Sequence, residues 1–194
     1  MVSLRDRETV AEDGVRDATS DDELARALLG RKVGNYVIER PLARGGMGSV
    51  FVARHPALGR EVAVKFLGTE LNASADLSQR FLDEARITAS LRHPNIVDIF
   101  DFGELEGRFY YVMELLPGKT LASLLRSHSV FPAPVVMRYI QQICSALEAA
   151  HRVGVVHRDL KPENVFVLQE EPLLLKLVDF GIAKVMVSQK IGRA

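Results

Sequence analysis

The hydrophobic period of the chain changes at Pro117-Gly118, and that switch constrains the fold more than any other feature. Upstream, from Asn35, β-branched runs are broken by glycine and proline clusters: YVIERPLARGGMGSVFVARH, REVAVKFL and YYVMELL. Such runs predict strands and turns, and IVDIFDFGELEGRFYYVME predicts a hairpin around Glu106-Gly107. One helix interrupts them. In DLSQRFLDEARITASL, Leu77, Phe81, Ala85, Thr88 and Leu91 recur at helical spacing, and Asp76 with Gln79 makes a capping box. Downstream, TLASLLRSH predicts a short helix and APVVMRYIQQICSALEAAHRVG a long one. Val136, Ile140, Ile143, Leu147 and Ala150 form its apolar stripe, closed by Gly154. The short strands VVH, NVFVL and LLLKLVDF follow. Strands and helices segregated in this way predict an α+β fold of two lobes. The first, over 35–114, is an antiparallel sheet carrying one helix. The second, over 115–194, is more helical, and the two join near Leu115–Gly118.

Composition narrows the partners. The chain has 194 residues with 25 basic and 25 acidic side chains, so no net field argues for nucleic acid or an anionic membrane. No apolar run approaches the roughly 20 residues that span a bilayer. The first residues lack the apolar core of a signal peptide. One cysteine excludes an intramolecular disulfide; within YIQQICSALEAAH, Cys144 reads as a small buried apolar residue in a reducing, cytoplasmic setting. Residues 1–34 read as a polar, disordered tail. Within it SDDELARALLG predicts a short helix, with Ser20 as N-cap and Gly30 as its stop.

The chemistry-bearing residues are ordered along the chain. Gly45, Gly46 and Gly48 turn a hairpin whose backbone N–H groups can approach an anion closely, although alone they read as an ordinary glycine-rich turn. Lys65 ends the next strand on the face of Ala63, because side chains alternate. There it points into a cleft roofed by the glycine loop. A cation in such a cleft needs a carboxylate, and Glu84 on the following helix is the natural candidate. In HRDLKPEN, Asp159 can accept a hydroxyl proton, and Lys161 can stabilise a transferring phosphoryl group. Asn164 and Asp179, the latter in DFG, offer oxygens suited to Mg²⁺.

This ordered set resembles the catalytic domain of serine/threonine protein kinases, and is similar to the bacterial eukaryotic-like kinases over about Tyr36 to Lys184. The resemblance implies a bilobal fold with ATP between the lobes. It assigns Lys65 to the α- and β-phosphates, Glu84 to the helix carboxylate and Asp159 to the base. Lys161 would contact the γ-phosphate, and Asn164 and Asp179 would bind Mg²⁺. The loop Leu42, Ala43, Arg44, Gly45, Gly46, Met47, Gly48, Ser49 and Val50 would cover the nucleotide. Met113 would be the gatekeeper, and the backbone of Glu114 and Leu116 would bond the adenine. Leu42, Val50 and Ala63 would lie above the purine, with Phe166 below. The LKPEN version of the loop is of the serine/threonine type.

Three departures accompany the resemblance. Ala43 stands where the family has its first loop glycine, and costs about 1 kcal/mol if that position needs positive φ. Arg158 typically pairs with an activation-segment phosphate, yet Ser188 is the only serine or threonine beyond Gly181. Thirteen residues follow Gly181, where the family continues into a helical remainder that binds the substrate peptide. The expectation is therefore a complete first lobe, an incomplete second lobe and weak phosphoryl transfer to a protein substrate. The alternatives are a non-catalytic ATP-binding or scaffold fragment docking on a partner kinase, or an incomplete gene product.

Overall fold

In the computed structural model the described residues are 25–45, 48–67, 86, 88–127, 130–170 and 172–180. The β-branched half forms strands β1 (Lys32–Val33), β2 (Tyr36–Gly45), β3 (Gly48–Arg54), β4 (Glu61–Leu67), β5 (Ile99–Leu105) and β6 (Arg108–Glu114). They make one antiparallel sheet in the order β1-β2-β3-β4-β6-β5. The predicted hairpin is present. Glu106 and Gly107 both adopt positive φ, 51° and 76°, the signature of a tight type I′ connection. The connection β2–β3 closes with Gly45 opposite Gly48. Gly48 is required by packing: at φ 129° a Cβ there would lie 1.9 Å from the Phe66 carbonyl oxygen of β4.

Beyond the switch come β7 (Lys119–Thr120), α1 (Leu121–Ser127), α2 (Ala133–Arg152), a 3-10 turn (Pro162–Asn164), β8 (Val165–Glu170) and β9 (Leu173–Leu177). The last three strands form a small sheet in the order β7-β8-β9. Among the described residues no helix is long and apolar enough to cross a membrane. The helix expected around Leu77–Leu91 falls largely outside the described residues; 86 and 88–90 are helical.

Three clusters form the core. One face of the large sheet buries Ile38, Phe51, Val62, Val64, Phe66 and Val112. The other gathers Ala63, Leu67, Val97, Tyr111, Met113 and Val178. The alternation read along REVAVKFL therefore holds, with Lys65 on the face of Ala63. The third cluster packs α2 on β8 and β9 through Tyr139, Ala146, Ala150, Val165, Val167, Leu175 and Leu177.

Three readings need correction. Residues 25–33 do not belong to a disordered tail. Ala25–Leu28 is helical, and Ala25, Leu28 and Val33 enter the core of the outer sheet face. Reciprocal bonds support this: Gly30 N–H donates to the Ile38 carbonyl and Ile38 N–H to the Arg31 carbonyl, while Arg31 pairs with Glu106. Gly30 has the positive φ of a helix stop, 74°; Ser20 lies outside the described residues. Secondly, the buried face of α2 is turned from the stripe read in sequence. Val136 and Ile140 are 38% and 46% exposed, whereas Tyr139 is buried, its ring edge-on to Phe131 at 5.8 Å. Tyr139 and Ile140 both satisfy helical spacing to Ile143, and the aromatic contact selects Tyr139. Thirdly, Cys144 is exposed, one position around the helix from Ile143.

Leu28 is 2% exposed and Leu29 is 42% exposed. Urea denaturation is expected to find Leu28→Ala destabilised by about 3 kcal/mol, from lost burial and a residual cavity. Leu29→Ala is expected to stay within about 0.5 kcal/mol of wild type. Equal effects would show that the segment does not pack on the sheet.

Candidate active site

A cleft of about 570 Å³ opens between the two sheets. Its roof is Leu42, Ala43, Arg44, Gly48 and Val50, carried by the β2–β3 hairpin, with Ala63 and Lys65 projecting from β4. Met113 stands on the adjoining strand. The connection Glu114, Leu115, Leu116 and Gly118 makes one edge. The floor is Asp159, Lys161, Glu163, Asn164, Phe166, Val178 and Asp179. Most of the residues predicted for the site therefore meet in one concavity. Ser49 is buried in the ladder between Arg44 and Phe66 and does not line it. Gly46, Met47 and Glu84 lie outside the described residues. Ala43 sits in β2 opposite Val50 and has no positive φ, so its methyl group carries no backbone penalty.

Lys65 is only 7% exposed. Its ammonium meets Asp179 Oδ1 at 2.5 Å. The same oxygen accepts the Tyr111 hydroxyl at 2.8 Å. Tyr111 is a member of the site that sequence reasoning missed. A signal was available, since Tyr111 lies two residues before Met113 and so shares its face of β6. Burial raises the Tyr111 phenol well above its ordinary pKa, and the Asp179 charge pushes in the same direction. The hydroxyl is therefore a proton donor at neutral pH.

The floor is held by its own network. The Asn164 amide Nδ2 donates to the Asp159 carbonyl at 2.8 Å and to Asp159 Oδ2 at 3.2 Å. That orientation leaves the side-chain Oδ1 of Asn164, as distinct from its backbone carbonyl, able to take a cation. Lys161 Nζ lies 3.0 Å from Asp159 Oδ2. Val178 N–H donates to the Asn164 carbonyl, tying the strand before Asp179 to the loop that carries Asp159. His157 Nε2 donates to the Val178 carbonyl at 3.0 Å, and its ring lies 4.5 Å from that of Phe180, tilted by 43°. Burial lowers the His157 pKa, outweighing the hydrogen bonds that favour its charged form. Arg158 and Asp179 adopt positive φ, 58° and 56°, a sparsely populated region for side-chain-bearing residues.

This arrangement suits a polyanion with a hard cation. Two ammonium groups flank a cleft that also holds carboxylate and amide oxygens. Among the described residues no group of three or more His, Cys, Asp or Glu forms a metal cage. Mg²⁺ does not need one, because it uses one or two protein oxygens together with substrate phosphates and water. The Glu114 carboxylate does not serve this chemistry. It is held by Lys176 and by the Asp98 N–H, behind the connection between the lobes.

Comparison with known proteins agrees with the geometry. The family model of the protein kinase domain matches residues 36–192. Serine/threonine-protein kinase PknE of Mycobacterium bovis is 39% identical over 170 residues, which cover 88% of this chain and 30% of PknE. The chain thus spans less than a third of that relative's length. A double mutant of the Mycobacterium tuberculosis PknI kinase domain superposes with a TM-score of 0.73 at 29% identity, over 79% of this chain and 63% of that one. A Rad53 structure in complex with AMP-PNP superposes with a TM-score of 0.67 at 29% identity, over 76% of this chain and 38% of that one. Sequence and fold lead to one family, and the chain belongs to it: the protein kinase domain family, in its bacterial serine/threonine branch.

Proposed function

We propose that this chain binds Mg-ATP in the cleft between its sheets and serves transfer of the γ-phosphate to serine or threonine hydroxyls of a protein. The observation that carries this reading is the convergence of Lys65, Asp159, Lys161, Asn164 and Asp179 on one cleft with an apolar slot beside them. The AMP-PNP bound by the structurally similar Rad53 supports an adenine nucleotide as the ligand.

In this reading Leu42, Val50 and Ala63 cover the purine, and Phe166 lies beneath it. Met113 closes the back of the slot, and the backbone of Glu114 and Leu116 bonds the adenine edge. Lys65 neutralises the α- and β-phosphates. Asn164 and Asp179 hold Mg²⁺, which when bound offsets phosphate charge. Asp159 orients the acceptor hydroxyl and takes its proton. Lys161, 3.0 Å from Asp159, stabilises charge on the transferring group. Positioning and electrostatics supply most of the catalysis in such reactions, so preformed partners are what the site requires. Glu84 is proposed as a further partner of Lys65.

His157 is proposed to keep the floor assembled. Its neutral ring donates to Val178 and accepts from the Asp159 N–H at 3.4 Å, joining the loop of Asp159 to the strand of Asp179.

Calorimetry is expected to find Mg²⁺-dependent ATP binding by the folded chain. Lys65→Met is expected to weaken it about tenfold or more, the effect of one charge-assisted contact. Well-folded protein that binds no ATP would overturn the reading. In assays with radiolabelled ATP and a protein acceptor, Asp159→Asn is expected to lower turnover at least about a hundredfold. Nucleotide binding with no transfer by the wild type would favour the non-catalytic reading instead. For His157 the unfolded chain takes up a proton near pH 6.5 and the folded chain only at lower pH. The contribution of His157 to stability is therefore flat above about pH 7 and falls as the pH drops through 6.5. Thermal melts of His157→Gln are expected to lack that part of the slope, and an unchanged slope would assign it to other groups.

A further inference from the structure

The Asp179 carboxylate receives two donors on one oxygen, and the two differ in kind. Lys65 and Tyr111 are direct cross-strand partners in the β4–β6 ladder. Opposed side chains on one face lie close enough to act on a single atom. The Lys65 ammonium ends a flexible four-carbon stem and is attracted by any anion that enters the cleft. The Tyr111 ring is 4% exposed in the core cluster of Ala63, Met113 and Val178, and its hydroxyl has no stem on which to travel.

We infer that Tyr111 is a positioning residue, holding Asp179 in place for the divalent cation while Lys65 transfers its contact from Asp179 to the nucleotide. The inference rests on reading the cleft as a Mg-ATP site. Three observations support it. Both donors act on Oδ1, so neither occupies Oδ2. The phenol is a neutral donor, so it orients the carboxylate without adding positive charge against a cation, which a second lysine would do. The Asp179 backbone has φ 56°, a conformation that persists only where surrounding contacts hold it. Once Lys65 turns to phosphate, the Tyr111 hydroxyl is the described donor that remains on Oδ1.

The test measures ADP affinity of the full chain by calorimetry, once with EDTA and once with excess Mg²⁺, for wild type and Tyr111→Phe. The expected result is equal affinity in EDTA, within about twofold, and a Mg²⁺-dependent gain reduced about tenfold in the variant, the effect of one hydrogen bond to a charged group. An unchanged Mg²⁺ gain in Tyr111→Phe overturns the inference alone. Equal loss with and without Mg²⁺ also overturns it, by showing a purely structural role. A wild type whose ADP binding ignores Mg²⁺ overturns the Mg-ATP reading and this inference with it. A crystal structure of the wild type with Mg²⁺ and nucleotide gives a second test that needs no variant. Tyr111 Oη is expected within hydrogen-bond distance of Asp179 Oδ1, with Lys65 Nζ on phosphate; a separation beyond about 3.5 Å overturns the inference.

Discussion

An ammonium buried on the inner face of a sheet must find a carboxylate, and here that requirement joins the two halves of the molecule. Lys65 is nearly buried on β4, and an unpaired cation at such depth costs roughly several kcal/mol. Its described partner is 114 residues away, on the far side of the cleft. The β2–β3–β4 ladder holds the cation and the end of β9 delivers the anion, so the ion pair forms only when both lobes are built. Among the described residues the cleft is thus defined by a charge of one lobe whose partner comes from the other.

The lower half of the site is made rigid by neutral hydrogen bonds. Arg158 and Asp179 occupy a backbone region that costs of order 1–3 kcal/mol each. Each follows a residue fixed to the other segment, His157 before Arg158 and Val178 before Asp179. His157 reaches the Val178 carbonyl, Val178 N–H reaches Asn164, and the Asn164 amide reaches Asp159. The two loops therefore constrain one another. Because the imidazole and the amide are uncharged, they impose this geometry without competing for the ions the cleft is suited to hold.

Much of this was legible in the residues. Alternation along REVAVKFL gave the correct face for Lys65, Glu106-Gly107 gave the hairpin, and HRDLKPEN with DFG gave the floor. What escaped did so for physical reasons. Tyr111 reads as one more aromatic in a strand until the fold brings Asp179 to its hydroxyl. Gly48 reads as a nucleotide-loop glycine, yet the Phe66 carbonyl already forbids any side chain there. On α2, apolar residues cover more than one face, so helical period alone does not choose between Tyr139 and Ile140. Ala25, Leu28 and Val33 are too sparse to announce a packed segment, because the surface they cover belongs to strands later in the chain.

The segment Leu91–Val97 belongs mechanically to the lower lobe, although it leads into the upper sheet. Asn95 bonds Gln142 of α2 and the Leu175 carbonyl, and Ile96 pairs with Leu177 of β9. Among the described residues the large sheet therefore leaves the lower lobe by two short passages, one after Val97 and one at Leu115–Gly118. Lys176 lies between them, bonded to the Ile96 carbonyl and to Glu114. Apart from the contacts across the cleft at Asp179 and Val178, these two passages lie side by side, and the motion they oppose least is rotation about the line that joins them. Such a rotation changes the height of the Val50 and Ala63 roof above the Phe166 floor without sliding one past the other. The register of roof over floor is thus set where Lys176 gathers the Ile96 carbonyl, the Glu114 carboxylate and, at 3.8 Å, Asp98 around the two passages.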